Sequence, residues 1–242
     1  MTLNYAHRGA SGYYPENTLL AFEKAIEMGC DGIETDVQMT ADGVLVLIHD
    51  ESLKRTTGVD AFVKDYNFNE LRKLNAANYH SMNDVFQYIP TVEELLKLGK
   101  KNNIIINFEI KTGIVFYDGI EKKLIDLVNK YDMKNNVIIS SFNHYALVDC
   151  KKIDSKIKTA ILYGEALYQP EVYCEKVKAD GLHPVYYAVN SDIIKDAHKK
   201  GLFVQPFTVN DEGMMKKFIE MGIDGIITNF PDKLKVILQQ YR

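Results

Sequence analysis

The run Gly32-Ile33-Glu34-Thr35-Asp36-Val37 decides the fold. It follows a helical stretch, Thr18–Met28, and precedes the turn signal Thr40-Ala41-Asp42-Gly43 and a second apolar run, Val44-Leu45-Val46-Leu47-Ile48. The turn is too short for a parallel crossover, so the two runs are expected to pair antiparallel, as a hairpin arm on the second strand of a larger array. Outward from this point, further apolar runs stand at Leu3–Arg8, Ile104–Lys111, Val137–Ser141, Thr159–Tyr163, Gly181–Pro184, Phe203–Thr208 and Gly225–Thr228. Helical stretches such as Val92–Lys101, Gly119–Lys130, Ser191–Lys200, Asp211–Met221 and Pro231–Gln240 lie between them. About eight strands with crossover helices predict an α/β chain folded as a (β/α)8 TIM barrel. An open doubly wound sheet is the runner-up, but no G-x-G-x-x-G follows the first strand.

Composition supports one packed body. The 242 residues are 46% hydrophobic and 26% charged, inside the globular range, and a barrel of about 250 residues routinely forms one domain. Residues 1–242 are therefore read as a single domain. Roughly residues 51–90 are polar, rich in Asn and Tyr, with one short helical stretch near Asn69–Leu74. This segment is expected to be an insertion after the second-strand hairpin, covering the mouth, because about 40 residues would struggle to hold a core alone. With 29 basic and 33 acidic residues the net charge is −4, which argues against nucleic acid as a partner. The three cysteines, Cys30, Cys150 and Cys174, are far apart and odd in number, so a reducing compartment is expected. No signal sequence and no run of about 18 apolar residues is found, so the expectation is a cytoplasmic protein with no membrane span.

Active sites of such barrels gather at the C-terminal ends of the strands. Strand alternation puts Glu34 and Asp36 on one face of the second strand. In the segment Ile106-Asn107-Phe108-Glu109-Ile110-Lys111 the same rule aligns Asn107, Glu109 and Lys111 opposite three apolar residues that belong against helices. The polar set is left for the lumen. Three carboxylates converging at one mouth repel one another unless a cation neutralises them. An all-oxygen set without thiolate favours Mg2+ or Ca2+ over zinc, without separating the two. The competing reading is a structural network of Glu34, Asp36 and Glu109 with Arg8 and Lys111. Pairing about the Thr40–Gly43 turn returns His49 to the level of Glu34 and Thr35, and His7 ends the first strand. Two imidazoles beside a cluster of carboxylates suit acid–base chemistry near neutral pH.

The segments His7-Arg8-Gly9, Pro15-Glu16-Asn17-Thr18, Glu34-Thr35-Asp36-Val37, His49-Asp50, Arg55-Thr56-Thr57-Gly58, Glu109-Ile110-Lys111 and Ser141-Phe142 resemble, in order and over nearly the whole chain, the glycerophosphodiester phosphodiesterase family. Leu182-His183-Pro184, Thr208-Val209-Asn210 and Gly225-Ile226-Ile227-Thr228 extend the resemblance. It implies a phosphatidylinositol-phospholipase-C-like barrel that hydrolyses glycerophosphodiesters to glycerol 3-phosphate and an alcohol such as choline, ethanolamine or glycerol. It further implies Glu34, Asp36 and Glu109 as ligands of one divalent metal ion, His7 and His49 as general acid and base, and Arg8 and Lys111 as phosphate holders. Phe142 and Phe207 are expected to wall the glycerol end of the pocket, or to be plain strand-end core. His183 is expected either at the mouth or as a satisfied structural histidine. Phe207 stands where the family often has tryptophan, and Asn229 where it often has aspartate. The alternatives are a related phosphodiesterase acting on lysophospholipids or other phosphodiesters, and a catalytically silent binding barrel.

Overall fold

Strand β1 (Leu3–His7) carries buried Asn4, Tyr5 and Ala6 and ends in the first of the site residues. In the computed structural model, which describes residues 1–241, it is followed by β2 (Gly32–Met39), β3 (Leu45–Leu47), β4 (Ile105–Ile110), β5 (Val137–Ser141), β6 (Lys158–Tyr163), β7 (Gly181–Pro184), β8 (Phe203–Val204) and β9 (Gly225–Thr228). The helices are α1 (Leu19–Glu27), α2 (Lys54–Thr57), α3 (Phe68–Leu71), α4 (Val92–Asn102), α5 (Ile120–Lys130), α6 (His144–Ile153), α7 (Pro170–Val177), α8 (Ser191–Lys199), α9 (Glu212–Glu220) and α10 (Pro231–Gln239). The strand order β8-β7-β6-β5-β4-β2-β1-β9 is parallel throughout, with β3 antiparallel on β2. The gap between β8 and β9 is bridged by Asp224 N–H donating to Val204 O at 3.2 Å and Ile227 N–H to Pro206 O at 3.0 Å. The result is the expected (β/α)8 barrel.

The β2–β3 hairpin pairs Val37 with Leu47 and Met39 with Leu45, the register that carries His49 back toward the mouth. Regular pairing of the strand expected at Phe203–Thr208 stops at Val204. Pro206 has no N–H to donate, and beyond β8 the segment is held by single bonds such as Phe207 N–H to Pro184 O at 3.0 Å. Helices α6 and α7 complete the alternation where the sequence pattern is weakest.

The main core lies between strands and helices, around Phe22, Ile33, Leu95, Phe108, Ile139 and Phe218. Inside the barrel, Tyr5, Ile138, Ala160 and Ile227 form a small apolar plug. A third cluster, Val46, Ile48, Leu53, Val63, Leu71, Ala76 and Ile89, joins the hairpin arm to the segment after it. That segment thus borrows two residues of the hairpin arm for its core. At Gly9 the backbone has φ +81° and an added Cβ would stand 2.7 Å from Ala21 C. Only glycine permits the β1 end to turn this tightly against α1.

Candidate active site

Strand register builds the centre. His7 of β1 pairs with Glu34 of β2, while Glu34 and Asp36 pair with Asn107 and Glu109 of β4. Glu34, Asp36 and Glu109 are all buried, and each offers an oxygen within 4.8 Å of the others. His7, Arg8, Glu34, His49, Asn107 and Glu109 line one cavity of about 210 Å3, and Phe142 and Phe207 line it too. The two phenylalanine rings meet edge to face at 5.9 Å.

Two cations face the three carboxylates. Arg8 Nε lies 3.4 Å from Asp36 Oδ2, and Lys111 Nζ lies 2.8 Å from Glu109 Oε1 and 3.8 Å from Asp36 Oδ1. Burial opposes both charges, but the surrounding carboxylates hold both groups above their ordinary pKa values. Burial would also raise Asp36, yet Arg8, His49 and Lys111 bring it down to about 2. Glu34 is left over. Burial first, then the charges of Asp36 and Glu109, push its carboxyl well above the usual range. Burial raises Glu109 as well, despite Lys111. The ion-pair network therefore does not satisfy the cluster. Asp36 Oδ1 and Asn107 Oδ1 are buried with no hydrogen-bond partner among the described residues. An orphaned carboxylate oxygen amid an all-oxygen donor set fits a hard divalent cation, which Glu34, Asp36 and Glu109 could hold.

Each histidine has its own orienting partner. His7 Nδ1 stands 2.6 Å from Asn229 Oδ1, and its Nε2 3.8 Å from Glu34 Oε2. Burial, aided by the Arg8 charge, lowers the His7 imidazole to about 4. His49 Nδ1 stands 2.6 Å from Asp50 Oδ1, and its Nε2 3.2 Å from Lys111 Nζ. With Nδ1 protonated toward an oxygen, His7 presents Nε2 to Glu34 and His49 presents Nε2 to the Lys111 ammonium.

Behind them runs a chain that sequence reading left without roles. Arg55 donates to both Asp50 oxygens, at 2.6 and 3.2 Å, and to both Glu16 oxygens, at 3.0 and 2.7 Å. Glu16 in turn takes Arg8 Nη1 at 3.1 Å and gives its N–H to Tyr79 Oη at 2.9 Å. Asn17 donates to Asp36 Oδ2 at 2.9 Å and accepts from Thr35 Oγ1 at 2.7 Å. Arg8 and Asn17 reach these partners from left-handed backbone, φ 54° and 55°, a conformation that costs energy in non-glycine residues and clusters at functional sites. The Pro15-Glu16-Asn17-Thr18 and His49-Asp50 segments were the available signal for Glu16, Asn17 and Asp50. For Asn229 the signal was its place where the family often has aspartate, but the sequence did not show that it meets His7.

His183 is not brought to the cavity. It is fully buried, with Nε2 3.0 Å from Gln205 Oε1 and its ring 5.9 Å from that of Phe203. The side chain points into the lumen, where Gln205 also reaches Tyr5 Oη at 3.4 Å.

Set against known proteins, the chain matches the glycerophosphoryl diester phosphodiesterase family over residues 7–233. It is 43% identical over 233 residues to a glycerophosphodiester phosphodiesterase of Caldanaerobacter subterraneus subsp. tengcongensis, covering 96% of each chain. It is 38% identical over 245 residues to one from Bacillus altitudinis, covering 100% of both. Among solved structures it superposes, with a TM-score of 0.86 and 28% identity over 97% of this chain and 96% of the other, on an Oleispira antarctica phosphodiesterase in complex with the product sn-glycerol-3-phosphate.

Proposed function

The chain belongs to the glycerophosphoryl diester phosphodiesterase family, hydrolases of glycerophosphodiesters, and from that membership we propose that it releases glycerol 3-phosphate and an alcohol by two-histidine acid–base catalysis at a divalent metal held by Glu34, Asp36 and Glu109. The observation that carries this reading is the convergence of His7, His49 and two of the three carboxylates on one cavity, with Asp36 behind them.

Arg8 and Lys111 sit beside that cavity as a fork and a point charge, the forms suited to orienting a phosphate. One histidine, through Nε2, takes the proton of the attacking hydroxyl. The other returns a proton to the departing alkoxide, which would otherwise be a very poor leaving group. A bound Mg2+ or Ca2+ would stabilise charge building on the phosphoryl oxygens. Phe142 and Phe207, which line the same cavity, would wall its glycerol end.

Residues 51–90 are, in the same reading, an insertion over the mouth of a single-domain barrel. Arg55 and Tyr79 support this by tying it to Glu16. Cys30, Cys150 and Cys174 are free and buried, which supports a reducing, cytoplasmic setting. Among the described residues no helix is long and apolar enough to cross a membrane.

The deciding experiment measures glycerol 3-phosphate released from glycerophosphocholine and glycerophosphoethanolamine by a coupled dehydrogenase assay, with and without added Mg2+ or Ca2+. Metal-dependent release is expected. Silence on both substrates with every metal would shift the reading to another phosphodiester.

A further inference from the structure

Gln38 continues the row that strand alternation begins with Glu34 and Asp36 on β2, and it is fully buried. It does not line the catalytic cavity. Its carboxamide is engaged at both ends. Nε2 donates to the main-chain oxygen of His49 at 3.0 Å, and Oε1 accepts from the Tyr117 hydroxyl at 2.7 Å. Neither Gln38 nor Tyr117 has a role in the chemistry above.

The two bonds fall where the hairpin stops holding itself. Regular pairing of β2 with β3 runs as far as Val37 and Leu47, and Ile48 N–H still reaches Asp36 O at 3.1 Å. His49 then leaves the ladder, and its carbonyl is held by a side chain, that of Gln38. A carboxamide has one accepting and one donating end, so a donor on Oε1 commits the NH2 group to His49. Tyr117 is that donor. Burial, with the charge of Glu51 adding to it, pushes the phenol well above its ordinary pKa, so it keeps the proton it donates. Tyr117 lies in the segment between β4 and α5, which starts at Lys111 and leaves Ile114 and Phe116 exposed. At one end of this segment Lys111 Nζ meets the His49 ring, and near the other Tyr117 reaches the His49 main chain through Gln38. Packing in the main core asks only for a buried ring at position 117, which phenylalanine would provide. It is the amide that uses the hydroxyl.

We propose that Gln38 and Tyr117 are positioning residues for His49: Tyr117 fixes which way the Gln38 amide faces, and the amide fixes the main chain from which the imidazole reaches Lys111 and the cavity. The proposal rests on the phosphodiesterase reading for the part His49 plays in proton transfer. Asp50 orients the ring through Nδ1, while Gln38 sets where the ring starts. An acid or base must stay within hydrogen-bond reach of the proton it moves. Since neither positioning residue lines the cavity, displacing the His49 main chain should appear in kcat and leave KM nearly as it was.

Two measurements on the full chain test this. Gln38→Met keeps the length of the side chain and removes the amide, and Tyr117→Phe keeps the ring and removes only the hydroxyl. With glycerophosphocholine and added Mg2+ or Ca2+, kcat should fall about 5-fold in Tyr117→Phe, the worth of one hydrogen bond, and further in Gln38→Met, with KM within twofold of the wild type in both. A residue that acts through His49 has nothing to act on once the ring is gone, so in a His49→Ala background neither substitution should lower the residual kcat again. The same fractional loss in both backgrounds, or an unchanged kcat in the single variants whatever happens to Tm, overturns the proposal and leaves the pair as packing. If Gln38→Met does not fold, Tyr117→Phe decides alone. The second measurement follows the ring signals of 15N-labelled histidine, with those of His49 identified by their absence in His49→Ala. They should shift in both variants while those of His183, sealed between Gln205 and Phe203, stay in place. Unmoved His49 signals overturn the proposal. The spectrum reads the ring whether or not the protein turns over glycerophosphodiesters, so absence of turnover in the wild type counts against the phosphodiesterase reading and leaves the result on positioning standing.

Discussion

His7 Nδ1 and Asn229 Oδ1 are 2.6 Å apart although 222 positions separate them in sequence. The contact exists because β1 and β9 are parallel neighbours in which Ala6 faces Thr228, so the next residue of each strand projects to the same mouth. An amide oxygen facing the ring fixes the proton on Nδ1 and leaves Nε2 for chemistry. Asn229→Leu should therefore lower kcat by roughly 10-fold to 100-fold, less than the ~10²–10⁴ a positioned acid or base supplies. Asn229→Asp, which keeps the acceptor, should recover most of the loss. Equal losses in both variants would show that the contact does not orient the ring.

His7→Ala and His49→Ala should each cost ~10²–10⁴ in kcat while the melting temperature stays near that of the wild type, because neither ring belongs to an apolar cluster. Turnover within a few-fold of the wild type in either variant would remove that histidine from the mechanism.

How much of this was readable beforehand follows from where each constraint originates. The alternation in Ile33-Glu34-Thr35-Asp36-Val37 is local, so the face shared by Glu34 and Asp36 was legible, as was the hairpin register that returns His49. The truncation of the strand expected over Phe203–Thr208 was legible only as a proline in an apolar run. His183 lies within an equally strand-like segment, but whether an inward side chain ends at the mouth or in the packed lumen depends on its neighbours, here Gln205 and Phe203. The His7–Asn229 and Arg55–Glu16 contacts join segments that are distant in sequence and that only the closed, folded barrel brings together. No spacing in the chain encodes them.

Chelation should abolish activity, and Mg2+ or Ca2+ should restore it. Because the orphaned Asp36 oxygen and the raised Glu34 carboxyl signal stored repulsion, the metal should also stabilise the fold. A cation at about 100 times its Kd adds about 2.7 kcal/mol, visible as a higher Tm in calorimetry. Glu34→Gln should reduce this metal-dependent rise. A Tm indifferent to metal in the wild type would leave the carboxylates as an ion-pair network with Arg8 and Lys111.

Arg55 bridges Asp50 and Glu16, and through them links His49 to Arg8. Arg55→Leu should lower kcat roughly 10-fold by freeing the Asp50 carboxylate that holds His49. Arg55→Lys should rescue poorly, since a point charge cannot grip two carboxylates in the way a planar fork does. Full activity in Arg55→Lys would mean that charge alone, without geometry, is what the bridge provides.

Burial lowers His183 from 6.5 to about 4, so the native state keeps it neutral where the unfolded chain would protonate it. Between those two values the unfolded state binds more protons, and stability must rise with pH across that window. The contribution is fully present above pH 6.5, is lost as the pH falls toward 4, and does not change further below that. At about 1.4 kcal/mol per pH unit, a single such group can account for up to about 3 kcal/mol. Urea unfolding between pH 7 and pH 4.5 should therefore show a smaller loss of stability in His183→Gln than in the wild type, even if the variant is less stable at pH 7. His7, which burial shifts in the same direction, remains in both proteins and cancels from the difference. Parallel pH profiles for the two proteins would mean that His183 can take up a proton in the folded barrel, which is incompatible with a ring sealed between Gln205 and Phe203.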